Sequence, residues 1–245
     1  MRGAESVCGC FPVGRHYPAI AEQLLRAEIK IVGLCSACAA DAPWSEAALA
    51  ILDLETTGLD PLHDRILEIG VIWCEGGVVS ARHNWLVNPG IPVPEAARAV
   101  HGISDEDLAS APLLVEVVEE VAAALKNRVL VAYNASFDRS FLFAERDRLG
   151  LTALATVLRE EVIWIDPLVW AREIHKMERS KKLGDVAQRL GIEIKQLHRA
   201  CDDAEMTAQV LLAMAKDLPV AYGELIRLQS QYDERQKAER RRGPY

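Results

Sequence analysis

The run ALAILDLETTGLD, residues 48–60, most constrains what this chain can become. Ala50, Ile51, Leu52 and Leu54 read as a buried strand, yet Asp53 and Glu55 interrupt it. Residues two apart on a strand share a face, so both carboxylates point the same way. An unpaired buried carboxylate is costly, and two like charges on one face are costlier. Such a strand needs a positive partner, and a divalent cation is one that reverses the local field.

The remaining sequence supplies the frame. RILEIGVIWCE and VVSARHNWLVN read as second and third strands, joined at GG, a hairpin signal, so that the first three strands form an antiparallel meander. IPVPEAARAVHG reads as a short helix, and Ser104 followed by DED as a helix N-cap with acids in the first turn. PLLVEVVEEVAAALK is an amphipathic helix, RVLVAY a short strand buried on both faces, and SFDRSFLFAERDRLG a helix closed by Gly150. VIWI, residues 162–165, reads as another buried strand, with Asp166-Pro167 opening the next helix. KLGDVAQRLG reads as a short helix and RACDDAEMTAQVLLAMAKDL as the longest one. A meander followed by alternating helices and strands implies an α/β fold in three layers, with a mixed five-stranded sheet and helices on both faces.

Three divisions are expected: an N-terminal extension over residues 1–45, a catalytic domain over 46–218, and a C-terminal helix with a frayed, charged tail over 219–245. The extension holds four of the six cysteines, Cys8, Cys10, Cys35 and Cys38. CSAC has a zinc-type spacing and CGC does not, so an appendage with free thiols is favoured over a zinc site. The N-terminus lacks the apolar core of a secretory signal, and no apolar run approaches the roughly 18 residues that span a bilayer. The expected location is cytoplasmic, without membrane partners. The formal net charge of −8 argues against a protein that coats nucleic acid by bulk positive charge. It leaves open an enzyme that grips a short strand through bound cations.

Further acids fall where strands end and helices begin, the places where α/β folds gather functional groups. Asp138 lies in the first turn of a helix after a buried strand. His198 precedes the long helix, with Asp202 and Asp203 in its first turn. Converging carboxylates supply the hard oxygen ligands that suit Mg²⁺ or Mn²⁺. Two such ions about 3.5–4 Å apart can orient a water and stabilise a leaving oxygen in phosphoryl chemistry.

LDLETTGLD, HGIS, YNASFD and HRACDDA together resemble, in order, the motifs of the DnaQ-like 3′–5′ exonucleases of the DEDDh type, which include the epsilon proofreading subunit of bacterial DNA polymerase III. The resemblance covers residues 48–216 and implies a ribonuclease H-like fold. It implies that Asp53, Glu55 and Asp203 hold the catalytic metal, that Asp138 holds a second one through water, and that His198 is the general base. Asp202 is then a neighbour, not a ligand. The turn Thr56, Thr57, Gly58 and Leu59 would touch the 3′-terminal nucleotide, with Leu59 against its base, and His101 would lie near the site. For each of these the plain alternative is a turn or loop residue. Arg65 and Glu68 read as framework of the second strand.

The expected function is a metal-dependent exonuclease that releases nucleoside 5′-monophosphates from single-stranded DNA ends, in proofreading or repair. The alternatives are a 3′–5′ exoribonuclease and an inactive fold serving as a binding or polymerase-assembly module. All five motif positions are filled, which disfavours the last. The tail RLQSQYDERQKAERRRGPY does not resemble a clamp-binding motif, so a free-standing nuclease is expected at least as much as a replicase subunit that partners a DNA polymerase.

Overall fold

The computed structural model describes residues 33–194 and 198–241. Its centre is β1, Leu49–Thr56, flanked by β2, Ile66–Glu75, and by the three-residue β4, Val129–Val131. β3, Val78–Leu86, forms the far edge, giving the order β3-β2-β1-β4. The first three strands are antiparallel and β4 runs parallel to β1. Gly76 and Gly77 join β2 to β3 with φ of 57° and 77°, the left-handed pair that a tight hairpin turn demands.

The sheet therefore has four strands, not five. Residues 162–165 contribute a single bridge, Val131 to Ile165. Its neighbours spend their backbone groups elsewhere: the Ile163 N–H donates to the Gly33 carbonyl, and the Trp164 carbonyl accepts from Gln229. Asp166 then caps a helix at once, leaving no room for a ladder.

Nine α-helices follow among the described residues. α1 is Glu95–His101, α2 Asp105–Leu108, α3 Leu114–Leu125, α4 Ala135–Leu149 and α5 Thr152–Val157. α6 is Pro167–Ile174, α7 Leu183–Arg189, α8 Ala200–Ala213 and α9 Tyr222–Arg241. Strand parity sorts the core into two layers. Ala50, Leu52 and Leu54 of β1 face a cluster built from α3, α4 and α5. Leu49 and Ile51 face the opposite cluster, built from α6, α7, α8 and α9. Asp53 and Glu55 share the parity of Leu49 and Ile51, so they lie on the face that α8 covers.

The longest helix is α9, at 20 residues, rather than α8, at 14. The charged sequence expected to fray is helical to Arg241. Buried Gln229 and Gln236 hold it to α6: Gln229 bonds the Asp166 N–H and the Trp170 indole, and Gln236 donates to the Val169 carbonyl. Buried Trp44, in the 3₁₀ turn Trp44–Glu46, donates its indole N–H to the Pro219 carbonyl. Cys35 and Cys38 are free thiols, whereas Cys8 and Cys10 lie outside the described residues.

Candidate active site

β1 is buried at every position except Asp53, which keeps partial exposure. Carboxylate oxygens of Asp53, Glu55 and Asp203 all lie within 4.8 Å of one another. Asp203 reaches them from the first turn of α8. Gly70 makes that approach possible. It sits directly across from Asp53 in the β1–β2 register. A Cβ at residue 70 would stand 2.3 Å from both the Ala200 carbonyl carbon and the Cys201 nitrogen, so α8 rests its backbone on the strand there.

Burial first, then repulsion from Asp138, Asp203, Glu55 and Glu68, pushes the Asp53 carboxyl well above the usual carboxylate range. Glu55 is raised to about 8 by burial and by Asp203 and Glu68, with Arg199 opposing. Burial also raises Asp203, against the His198 N–H, which donates to its Oδ2 at 3.1 Å. The other Asp203 oxygen, Oδ1, is buried without a hydrogen-bond partner. Crowded carboxylates with an orphaned oxygen fit a divalent cation, since hard oxygen donors suit Mg²⁺ or Mn²⁺.

Asp138 stands outside that triplet but beside it, being the carboxylate that raises Asp53 most. It is buried in the first turn of α4, and burial raises its own pKa well above normal. The α4 N-terminus is held from a distance: Asp166 accepts the Asn134 and Ala135 N–H groups at 2.9 and 3.0 Å. The same carboxylate caps α6 through the Leu168 N–H, at 2.9 Å. The N-cap reading of Asp166 thus covers half of what it does, because it ties two helices together.

His198 is exposed, at φ 66°. A non-glycine residue in the left-handed region is strained, and such strain collects at functional sites. Its neighbour Arg199 makes a two-armed ion pair with Glu68, which is only 1% exposed on its side chain. Glu68 also accepts the Ala200 N–H at 3.1 Å and an Asn84 amide hydrogen at 2.9 Å. It therefore caps α8 and fixes the turn that carries His198. Burial pushes Glu68 up, but these hydrogen bonds win and hold it below normal. Reading Glu68 as framework missed this. The signal was available, since Glu68 interrupts an apolar strand just as Glu55 does, and the two residues face each other in register.

The turn after β1 is internally bonded. The Thr57 hydroxyl donates to Asp64 Oδ1 and accepts the Arg65 N–H, while the Thr56 hydroxyl donates to the Gly58 carbonyl. Gly58 packs on Asp64, whose oxygen would lie 2.4 Å from a Cβ. Leu59 projects from this turn and is 84% exposed. His101 is buried; its Nδ1 accepts the Ile103 N–H at 3.0 Å, so the proton sits on Nε2, which has no partner. Burial lowers its pKa, the Thr56 backbone and Glu68 oppose that shift, and the nearby charges of His198 and Arg199 add to it.

The sequence pattern of the RNase T exonuclease family matches residues 50–211, about two thirds of the chain. The chain belongs to that family. Within it, this exonuclease domain is of the DnaQ-like 3′–5′ type, a hydrolase. It is 36% identical over 172 residues to the PolC-type DNA polymerase III of Thermotoga maritima and 32% identical over 172 residues to that of Bacillus subtilis. Each match covers 70% of this chain but 12% of the relative, so the chain spans a small fraction of those polymerases' length. Exonuclease X, solved with 5′ overhanging duplex DNA, superposes with a TM-score of 0.57 at 24% identity, covering 74% of this chain and 99% of that one. The nuclease domain of 3′hExo, a DEDDh member bound to rAMP, gives 0.59 at 20% identity, covering 69% and 92%. These likenesses establish the shared ribonuclease H-like fold of the exonuclease domain. No helix among the described residues is long and apolar enough to cross a membrane.

Proposed function

We propose that this exonuclease domain hydrolyses the terminal phosphodiester at single-stranded DNA 3′ ends, releasing nucleoside 5′-monophosphates. The observation that carries this reading is the mutual approach of Asp53, Glu55 and Asp203 beside His198. Asp53, Glu55 and Asp203 would hold one divalent cation, Mg²⁺ or Mn²⁺, and Asp138 would hold a second through water. When bound, the pair supplies charge stabilisation for an in-line displacement at phosphorus.

The protein's own groups do the rest. His198 accepts a proton from the attacking water as the general base. Its backbone is pinned by Asp203, so the base and the acidic cluster move as one. The water oxygen bonds to phosphorus, and the bond to the 3′ oxygen of the penultimate nucleotide breaks. Leu59 backs the terminal base, and the Thr56–Gly58 turn holds Leu59 in place. His101 offers its Nε2–H toward the site as a neutral donor for a phosphate oxygen.

DNA is preferred because the curated relatives are DNA polymerases, which also favours a proofreading or repair role and a polymerase partner. RNA trimming is the second reading, supported by likeness to a nuclease domain bound to rAMP. The catalytic unit is taken as residues 46–218, with 1–45 and 219–245 as flanking segments, in a cytoplasmic protein. Incubation of 5′-labelled DNA and RNA oligonucleotides with Mg²⁺, Mn²⁺ or EDTA tests this. A metal-dependent ladder receding from the 3′ end, absent in Asp203→Ala, supports it, and the DNA-to-RNA rate ratio chooses the substrate. An intact oligonucleotide with folded, metal-bound protein would leave only the binding-module role.

A further inference from the structure

Outside the acidic site, a cluster of cationic side chains lies between α6 and α9. A groove of about 840 Å³ is lined by five cationic side chains and two carboxylates, on a chain whose net charge is −8. Both carboxylates are engaged. Glu173 pairs with Lys176 at 3.2 Å and with Arg235, and Glu239 lies 3.9 Å from Arg235. Arg172, Lys181 and Arg240 remain. Arg172 is half-buried, touches only the Gln236 amide oxygen, at 3.3 Å, and has no carboxylate in ion-pair range among the described residues. Burial and then the nearby charge of Arg240 depress the Arg172 pKa, with Asp166 and Asp233 opposing, and Arg172 and Arg240 line the groove together.

A second cavity of about 420 Å³ shares Arg172 and Arg240 with the first. It runs along α9 to Asn134, Ser136 and Arg139, at and after the start of the helix that carries Asp138. The second cavity adds the cations Arg139 and Lys237 to the pair it shares with the groove, alongside the carboxylates of Asp166, Asp233 and Glu234. α9 lies beyond residues 50–211, so Arg240 comes from outside the family's matched region.

We infer that Arg172, Lys181 and Arg240 form a phosphate track that grips the backbone of the substrate strand upstream of its 3′ end. This rests on the exonuclease reading above. Guanidinium forks suit phosphate oxygens, and Lys181 adds a point charge. Such contacts carry no base information, so they would hold DNA and RNA single strands alike. They also explain how a strongly acidic protein retains a polyanion: the grip is local.

The test uses the full chain with Arg172→Gln, Arg240→Gln, Lys181→Gln and the double variant Arg172→Gln/Arg240→Gln. Three probes are compared: an oligothymidylate long enough to fill both cavities, the matching oligouridylate, and the p-nitrophenyl ester of thymidine 5′-monophosphate, which occupies only the acidic site. The double variant should raise KM on the long oligonucleotides about tenfold and flatten the salt dependence by about 1–2 units of log–log slope. Turnover of the nitrophenyl ester should stay within about twofold of the unaltered protein. Equal loss on both oligonucleotides identifies the shared backbone as the ligand; loss confined to one of them overturns backbone gripping. Unchanged KM and salt slope in a protein that shortens the oligonucleotides overturns the track and leaves the nuclease intact. If no probe is hydrolysed, the nuclease reading fails instead. Anisotropy of the fluorescent oligothymidylate in EDTA then decides the track by itself, with unchanged affinity in the double variant refuting it. Exposed Arg240→Gln alone should weaken binding without moving Tm, which separates lost contact from lost packing.

Discussion

Arg199 lies against the buried carboxylate of Glu68, its Nη2 2.6 Å from Oε1 and its Nε 3.1 Å from Oε2. Glu68 comes from β2 and Arg199 from the turn before α8, so this pair joins the sheet to the segment bearing His198 and Asp203. Glu68→Gln keeps the shape but removes the charge, leaving Arg199 half-buried and unpaired. Breaking one partner of such a pair costs about 2–4 kcal/mol. Displacing reacting groups by about an ångström can cost about 10²-fold in rate. Glu68→Gln should therefore lower Tm and reduce kcat by about that factor, with KM little changed. A fall in Tm with unaltered kcat would show that Glu68 supports the fold without positioning the site.

Gly70 carries the second prediction. Its Cα faces the α8 backbone so closely that a methyl group would lie 2.3 Å from two main-chain atoms, which cannot swing aside as a side chain would. Gly70→Ala must push α8 off the sheet. Overpacking of this kind costs about 1–3 kcal/mol or more, equivalent to a Tm fall of about 5–10 °C in a chain of this size. Because Asp203 rides on α8, activity should fall more steeply than folded fraction. Thermal melts alongside initial rates, taken well below the variant's Tm, would reveal this, and a rate that merely tracks folded fraction would contradict it.

These two residues also mark where the sequence was hard to read. Asp53 and Glu55 were legible because charges inside an apolar strand have few innocent explanations. Asp138, His198 and Asp203 were legible only in combination, since a helix first turn welcomes an acid for its own electrostatic reasons. Gly70 gave no signal, because what it accommodates is a helix 130 residues away in sequence. Glu68 gave the same signal as Glu55, but its cationic partner, Arg199, is distant in the chain. The expected fifth strand failed for a related reason. Its apolar run suits a strand, but Gly33 and Gln229 compete for its backbone groups, and neither competitor is adjacent in sequence.

Asp203→Ala is the third prediction, and its two readouts should move in opposite directions. The substitution removes one carboxylate from a buried, mutually repelling cluster, so the metal-free protein should lose repulsion and gain stability by about 1 kcal/mol. It also removes an oxygen donor, so hydrolysis should fall by about 10³-fold or more. Melting in EDTA checks the first, and turnover with saturating Mg²⁺ checks the second. A destabilised metal-free variant would mean that the His198 N–H bond to Asp203 outweighs the repulsion.

The acidic cluster makes metal-free stability depend on pH in a direction opposite to that of most carboxylate-rich proteins. Glu55 is raised in the folded chain to about 8 from an ordinary value of 4.5. A raised folded pKa means that the folded state holds the proton more tightly than the unfolded state does. The stabilisation is fully present below pH 4.5 and is lost as pH climbs through about 8. Asp53, Asp138 and Asp203 shift in the same direction and add to the trend. In EDTA, Tm should therefore fall as pH rises from 5 to 9 across the window that Glu55 defines. A divalent cation replaces those protons, so saturating Mg²⁺ should flatten the fall and raise Tm, by about 2.7 kcal/mol of stability at a hundredfold excess over Kd. Metal binding should also release protons, measurable as a buffer-dependent heat in titration calorimetry. Glu55→Gln provides the control, because it cannot titrate and should remove part of the slope in EDTA. A melting profile in EDTA that rises toward alkaline pH would show that the four carboxylates are already ionised in the metal-free protein.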